Sequence, residues 1–324
     1  MKSELTKVTG VQVLGEQVQT IANIRAVDIR MTGPRGPAGD TPQANAYTDA
    51  QIRCRTVSAY LGLVRNGGGI LGSNDNFSQA AFVGNDLVAG GGSFRVTGHF
   101  FTDDLIAIDP ARPYRLSFYA KRASDVAGPF YSAVATYDVD GLDIQAPQWM
   151  YRPGTLTTLT QPLKTGDTVV HVASTAGWSP AGLTAENAHL RGVTAWGYRN
   201  SRGYLYPPET YSRYTAFGSQ ELGYSALTET TITLSGPWLH PEQPAGTPIS
   251  NGAAGSSYTY IGANGATLTG NWQQFQGRTS GLDNGAARRG DGLPPGTSFV
   301  RPMTLDVAGG QYLLNMVQLS EVAT

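Results

Sequence analysis

Six aromatic residues fall within nineteen positions of this sequence: Trp196, Tyr198, Tyr204, Tyr206, Tyr211 and Tyr214, with Arg199, Arg202 and Arg213 between them. Tyr and Trp offer large, rigid contact area at low entropic cost, and polar neighbours add adaptable hydrogen bonds. Sugars suit such a surface, because their C–H faces pack on rings while guanidinium and amide groups bond their hydroxyls. Trp196, Tyr198, Arg199, Arg202, Tyr204 and Tyr206 are therefore candidate contacts for a hydroxyl-rich ligand. Trp149 and Tyr151 form a second, smaller candidate group. The competing reading is that the rings fill strands and subunit interfaces.

Other chemistry finds less support. Asp138, Asp140 and Asp143 place three carboxylates in one short loop, the kind of oxygen set that could take a structural Ca²⁺. The same stretch reads equally as a hairpin turn at Asp140-Gly141 that exposes its acids. His99, His171, His189 and His240 lack the close spacing of a transition-metal site, and Cys54 has no cysteine partner. Gly67, Gly69 and Gly72 satisfy a dinucleotide-loop spacing, but Ser73-Asn74-Asp75-Asn76 follows, which is turn chemistry; a hinge is expected there. Carboxylates for glycoside hydrolysis must flank a sugar, and no pair here is placed by sequence. No enzyme is expected, no catalytic residue is assigned, and no cofactor or metal is implied beyond that Ca²⁺. A net charge of −1 gives no basic face for nucleic acid. No apolar run reaches the roughly 18 residues of a membrane span, so no membrane insertion is expected.

The elements that must position these residues are mostly strands. Charged residues make up 15%, against roughly 25% in an average soluble protein. The 41 Gly and 19 Pro supply turns, and 40% hydrophobic content argues against disorder. Residues 1–32 mix a helical spacing (Val11, Leu14, Val18, Ile21) with a strand-like one (Val27, Ile29, Met31), and read as an attachment or oligomer-forming arm. Gly33, Gly36 and Gly39 begin in-phase Gly-X-Y triplets, the requirement of a collagen-like triple helix, so residues 33–42 read as a trimeric neck. A short helix is expected over 43–66, with Thr48 as its cap. The first residues lack the apolar core of a signal peptide, so assembly in a reducing cytoplasm is expected.

From Gly67 onward alternation dominates, as in Ser93-Phe94-Arg95-Val96 and Tyr114-Arg115-Leu116-Ser117-Phe118-Tyr119-Ala120-Lys121. With Asn76-Phe77, Tyr137-Asp138-Val139-Asp140-Gly141, Trp272-Gln273-Gln274-Phe275 and Gly296-Thr297-Ser298-Phe299-Val300-Arg301-Pro302, these stretches resemble a carbohydrate-binding-module jelly roll of the galactose-binding-like kind. The resemblance spans residues 70–143 and 271–319. It implies a jelly-roll domain over 67–148 and 271–324; the departure from that family is a small inserted β module over 149–270, where a short loop is usual. Together with the collagen-like neck, the chain is similar to phage tail fibre or virion spike proteins. That resemblance implies a mainly β virion structural protein, a homotrimer, assembled in the host cytoplasm. It would be tied to other virion proteins through its arm and bound to a host-surface glycan. The alternatives are a capsid-decorating or baseplate protein without a receptor, and a polysaccharide-degrading enzyme.

Overall fold

The computed structural model describes residues 6–8, 11–14, 28–31, 60–69, 71–126, 128–178, 192–216, 223–253, 258–286 and 290–322. The fold is mainly β. Thr6–Val8 (β1), Val11–Leu14 (β2) and Asp28–Met31 (β3) form a small antiparallel sheet, so Val11 and Leu14 sit in a strand and not on the helical face their spacing allows. Gly33, Gly36 and Gly39 lie outside the described residues. Of the helix expected over 43–66, the described part is a hairpin, Tyr60–Leu61 (β4) against Val64–Arg65 (β5). Gly62 (φ 61°) and Asn66 (φ 56°) adopt left-handed conformations that no helix continues through. Val64 is fully buried in the main core.

The jelly roll is two antiparallel sheets. Sheet I orders Gln273–Arg278 (β20), Tyr114–Arg122 (β10), Gln311–Glu321 (β22), Ser93–Thr97 (β7) and Ala81–Val83 (β6). Sheet II orders Tyr258–Ala266 (β19), Phe130–Tyr137 (β11), Phe299–Asp306 (β21) and His99–Phe101 (β8), with Ile106–Ala107 (β9) also on β21. The period-2 pattern decides which side is inside: Tyr114, Leu116, Phe118 and Ala120 are buried, while Arg115, Ser117, Tyr119 and Lys121 face out. Rings fill the space between sheets. Phe77 stacks on Phe94 at 3.8 Å between centroids, and Phe130 meets Tyr312 edge-on at 5.1 Å. Each such side chain contributes about 1.5–3 kcal/mol by leaving water. The glycine loop expected to hinge is instead packed: a Cβ on Gly67 would lie 1.9 Å from the Val317 carbonyl oxygen, and Gly91 N–H donates to the Gly68 carbonyl at 3.0 Å.

The insert has its own core of Leu159, Val170, Trp178, Val193, Ile232 and Trp238, among others. Thr157–Thr158 (β12), Pro248–Gly252 (β18), Gly192–Ala195 (β14) and Thr215–Ala216 (β15) make one of its sheets. Val169–His171 (β13), Thr231–Leu234 (β17) and Tyr224–Leu227 (β16) make the other. The chain enters and leaves side by side: Ala253 N–H donates to the Met150 carbonyl, and Arg152 N–H to the Asn251 carbonyl, both at 2.9 Å. The module therefore closes near residue 253 and not 270, because β19 pairs with β11 as an edge strand of sheet II.

Candidate functional site

The outer face of sheet II carries an aromatic platform. Register sets its floor. Ala133 faces Tyr260 on one side and Met303 on the other; Ala135 faces Tyr258 and Arg301; Met303 faces Phe101, and Leu305 faces His99. The small alanines leave height that large rings from the flanking strands fill. Tyr258 crosses from β19 to meet His99 and Phe101 of β8 at 5.9 and 6.0 Å between ring centroids. His99 packs on Phe101 at 4.4 Å, and Tyr131 meets Tyr260 at 5.6 Å. The rings remain partly open to solvent while the alanines beneath them are buried. Desolvation lowers the His99 pKa, which favours the neutral imidazole. Burial, then the nearby Tyr260, Tyr137 and Asp143 groups, raises that of Tyr258.

Arg301 lies across the same face. Its guanidinium carbon is 5.4 Å from the Phe101 ring centroid and 5.9 Å from that of Tyr137. Its Nε donates to the Thr102 carbonyl, and its Nη1 is 3.5 Å from the Tyr137 hydroxyl. The platform thus offers ring faces, phenol hydroxyls and one guanidinium on a rigid sheet. That combination suits a flat ligand with apolar and hydroxyl-bearing sides.

The sequence-predicted aromatic run sits elsewhere, where the insert meets the jelly roll. Trp196 is 0% exposed, with its indole N–H donating to Ser250 Oγ at 2.9 Å. Trp149 is 1% exposed in a cluster with Ile144, Tyr198 and Tyr211. The ring faces of both tryptophans are therefore occupied by protein and closed to a ligand. Tyr198 is also buried, stacked on Tyr206 at 6.0 Å, and burial pushes its pKa up to about 12. Tyr151 is half-buried and edge-on to Trp196 at 6.1 Å. What remains open is a hairpin tip. Arg199 bridges to Leu205, Asn200 Oδ1 accepts the Arg202 and Tyr204 N–H groups at 3.1 and 3.0 Å, and Tyr204 is 57% exposed. Arg199 and Arg202 are exposed beside it, and Tyr206 is half-buried under Tyr204 at 4.9 Å. Of the eight candidates, the structure brings Arg199, Arg202, Tyr204 and Tyr206 together at one surface.

The acidic loop is a hairpin turn tied to this junction. Asp138 is buried, and its Oδ1 accepts the N–H groups of Asp140 and Leu142, both at 3.0 Å. Its Oδ2 accepts the Tyr211 hydroxyl at 2.9 Å and Arg213 Nη1 at 3.0 Å. Asp140 is hydrogen-bonded by Ser201, which lowers its pKa, and Asp143 by Gln145. The three carboxylates are directed to different partners, and no cluster of metal-ligating residues occurs among the described residues.

The sequence alone does not single out His99, Phe101, Tyr131, Tyr258, Tyr260 or Arg301. Each aromatic pair shows the i, i+2 spacing of one strand face, as in His99-Phe101 and Tyr258-Tyr260. Their convergence depends on strand order.

No protein-family model matches the chain, and no curated protein matches it. Among solved structures the chain is similar to the CBM22-1 xylan-binding domain from Paenibacillus barcinonensis Xyn10C, with 10% identity, 76% of this chain and 82% of that chain covered, and a TM-score of 0.31. It is also similar to the enzymatically active domain of bacteriophage CBA120 tailspike protein 4, with 9% identity, 80% of this chain and 21% of that chain covered, and a TM-score of 0.30. The chain thus spans about a fifth of that tailspike chain. At these TM-scores the site stands on its own geometry.

Proposed function

We propose that this chain is a non-enzymatic saccharide-binding subunit of a phage fibre or spike, holding a host-surface glycan on the outer face of sheet II. The observation that carries the binding part is the platform of Tyr258, Tyr260, Phe101 and His99 over the alanine floor of β11. Rings used merely as filler would be buried between the sheets, as Phe77 and Phe94 are. The virion part rests on the collagen-phase glycines Gly33, Gly36 and Gly39, which call for three chains. Three copies on one fibre would turn weak single contacts into firm attachment. The hairpin tip at Tyr204 is a second contact on this reading, carried by its exposure beside Arg199 and Arg202.

The test is adsorption of the purified full chain to host-cell polysaccharide. Tyr258→Ala and Phe101→Ala should each weaken it about tenfold, the equivalent of ~1.4 kcal/mol, with an unchanged melting temperature. Tyr204→Ala should weaken it less. Adsorption that survives the two platform changes and is lost with Tyr204→Ala would move the site to the hairpin tip.

A further inference from the structure

We propose that the platform selects acidic saccharides, with Arg301 as the residue that recognises the ligand's carboxylate or sulfate; this rests on the saccharide-binding reading above. Three of the half-buried cations among the described residues have an acid in contact. Arg65 pairs with Asp75 and Asp104, Lys121 with Asp86, and Arg213 with Asp138. Arg301 is half-buried too, yet among the described residues no carboxylate lies within ion-pair distance of it. Other arginines without such a partner, Arg115 and Arg278, stand exposed in water, where a lone charge costs little.

Arg301 is also held in place. Its Nε is used by the Thr102 carbonyl, and the Phe101 and Tyr137 rings lie beside its guanidinium. These contacts satisfy one N–H and fix the plane. They leave the outer N–H groups with a single long contact, to Tyr137 at 3.5 Å. A guanidinium matches the two oxygens of a carboxylate or sulfate with parallel hydrogen bonds, and its weak hydration makes it easily paired. His99 adds no competing positive charge near neutrality, because its desolvated ring favours the neutral form. Arg301 is a fixed positive charge on this face, so the acidic group of a bound sugar is directed toward it and the neighbouring Phe101 ring. The ring of that sugar would lie on Tyr258 and His99.

The experiment is a glycan array probed with the full chain. It carries uronic-acid-containing, sialylated and sulfated saccharides, each beside its neutral or esterified counterpart. Acidic members should bind at least tenfold more tightly than their counterparts. Arg301→Gln should abolish that preference, bringing the acidic members down to the level of their neutral counterparts. Arg301→Lys should keep part of it and controls for loss of the Thr102 contact. In the unaltered chain, acid binding should weaken as salt rises from about 0.01 M to about 1 M, since the Debye length falls from ~30 Å to ~3 Å. Equal binding of each pair, or a preference that survives Arg301→Gln, overturns this inference and leaves the saccharide reading standing. Silence across the whole array overturns both.

Discussion

At Asp138 a single buried carboxylate holds the turn of one unit and two side chains of the other. It takes four hydrogen bonds: two from the turn's own backbone, one from Tyr211 and one from Arg213. Asp138→Ala should destabilise the chain by about 3 kcal/mol or more, because a half-buried guanidinium and a buried phenol lose their acceptor. Urea denaturation measures it, and an unchanged midpoint would mean that water replaces the carboxylate at no cost. Glu209 makes the opposite case. It sits at φ 59° in the turn after Pro207-Pro208, with its carboxylate accepting from Ser250 Oγ at 3.2 Å. Burial pushes its pKa above the ordinary value of 4.5. A raised acid pKa means that the folded state holds the proton longer, so this group's stability is full below pH 4.5 and is lost as pH rises through the folded value. Glu209→Gln should therefore raise the melting temperature at neutral pH and leave it nearly unchanged near pH 4. A gain of equal size at both pH values would show that ionisation is not the cause.

At the scale of elements, the two sheets meet closely at one edge. The successive strands β19 and β20 lie in different sheets, and glycines let their backbones touch. A Cβ on Gly277 would fall 2.1 Å from the Gly262 nitrogen. Ser132 clamps the other side, its Oγ donating to the Ile261 carbonyl at 2.6 Å and accepting from Ala263 N–H at 2.7 Å. Gly277→Ala should cost about 1–3 kcal/mol as an overpacked contact, seen as a lower urea midpoint with an unchanged slope. The same edge explains what is legible in the sequence. Long strands with strict alternation, such as Tyr114–Arg122, can be read directly, and so can the Asp140-Gly141 turn. β19 is harder: Gly262 and Gly265 interrupt its pattern, so it reads as part of the insert. The platform is harder still. Its residues come from four strands between positions 99 and 305, and only strand order shows that Tyr258 stands beside Ala135 and Tyr260 beside Ala133. The dense run from Trp196 to Tyr214 draws attention because it is local, yet most of its rings bind one unit of the molecule to the other. Sequence density reports how many rings are near one another along the chain; burial decides which of them a ligand can reach.

For the molecule as a whole, the jelly roll and insert are joined firmly. Two chain passages run side by side, Ser212 N–H donates to the Gln148 carbonyl at 2.8 Å, and the Tyr211 ring packs directly on Gly296. A Cβ there would lie 2.6 Å from that ring. This unit has its own cores and needs no second chain to bury them. The proposed trimer is therefore assigned to residues before it, where Gly33, Gly36 and Gly39 keep the phase of a triple helix. The expected solution mass by light scattering is three times 34.3 kDa, about 103 kDa. Removing residues 1–42 should return the chain to one copy while leaving the melting temperature of the jelly roll within a few degrees. Adsorption of the truncated chain should fall far more than the loss of any single ring would cause, because linking sites raises avidity by about 10²–10⁴. A full-length chain that is monomeric at micromolar concentration would remove the fibre model. A truncated chain that stays trimeric would instead place the subunit contact on the jelly roll or its insert, and surfaces such as the exposed Tyr204 tip would become its first candidates.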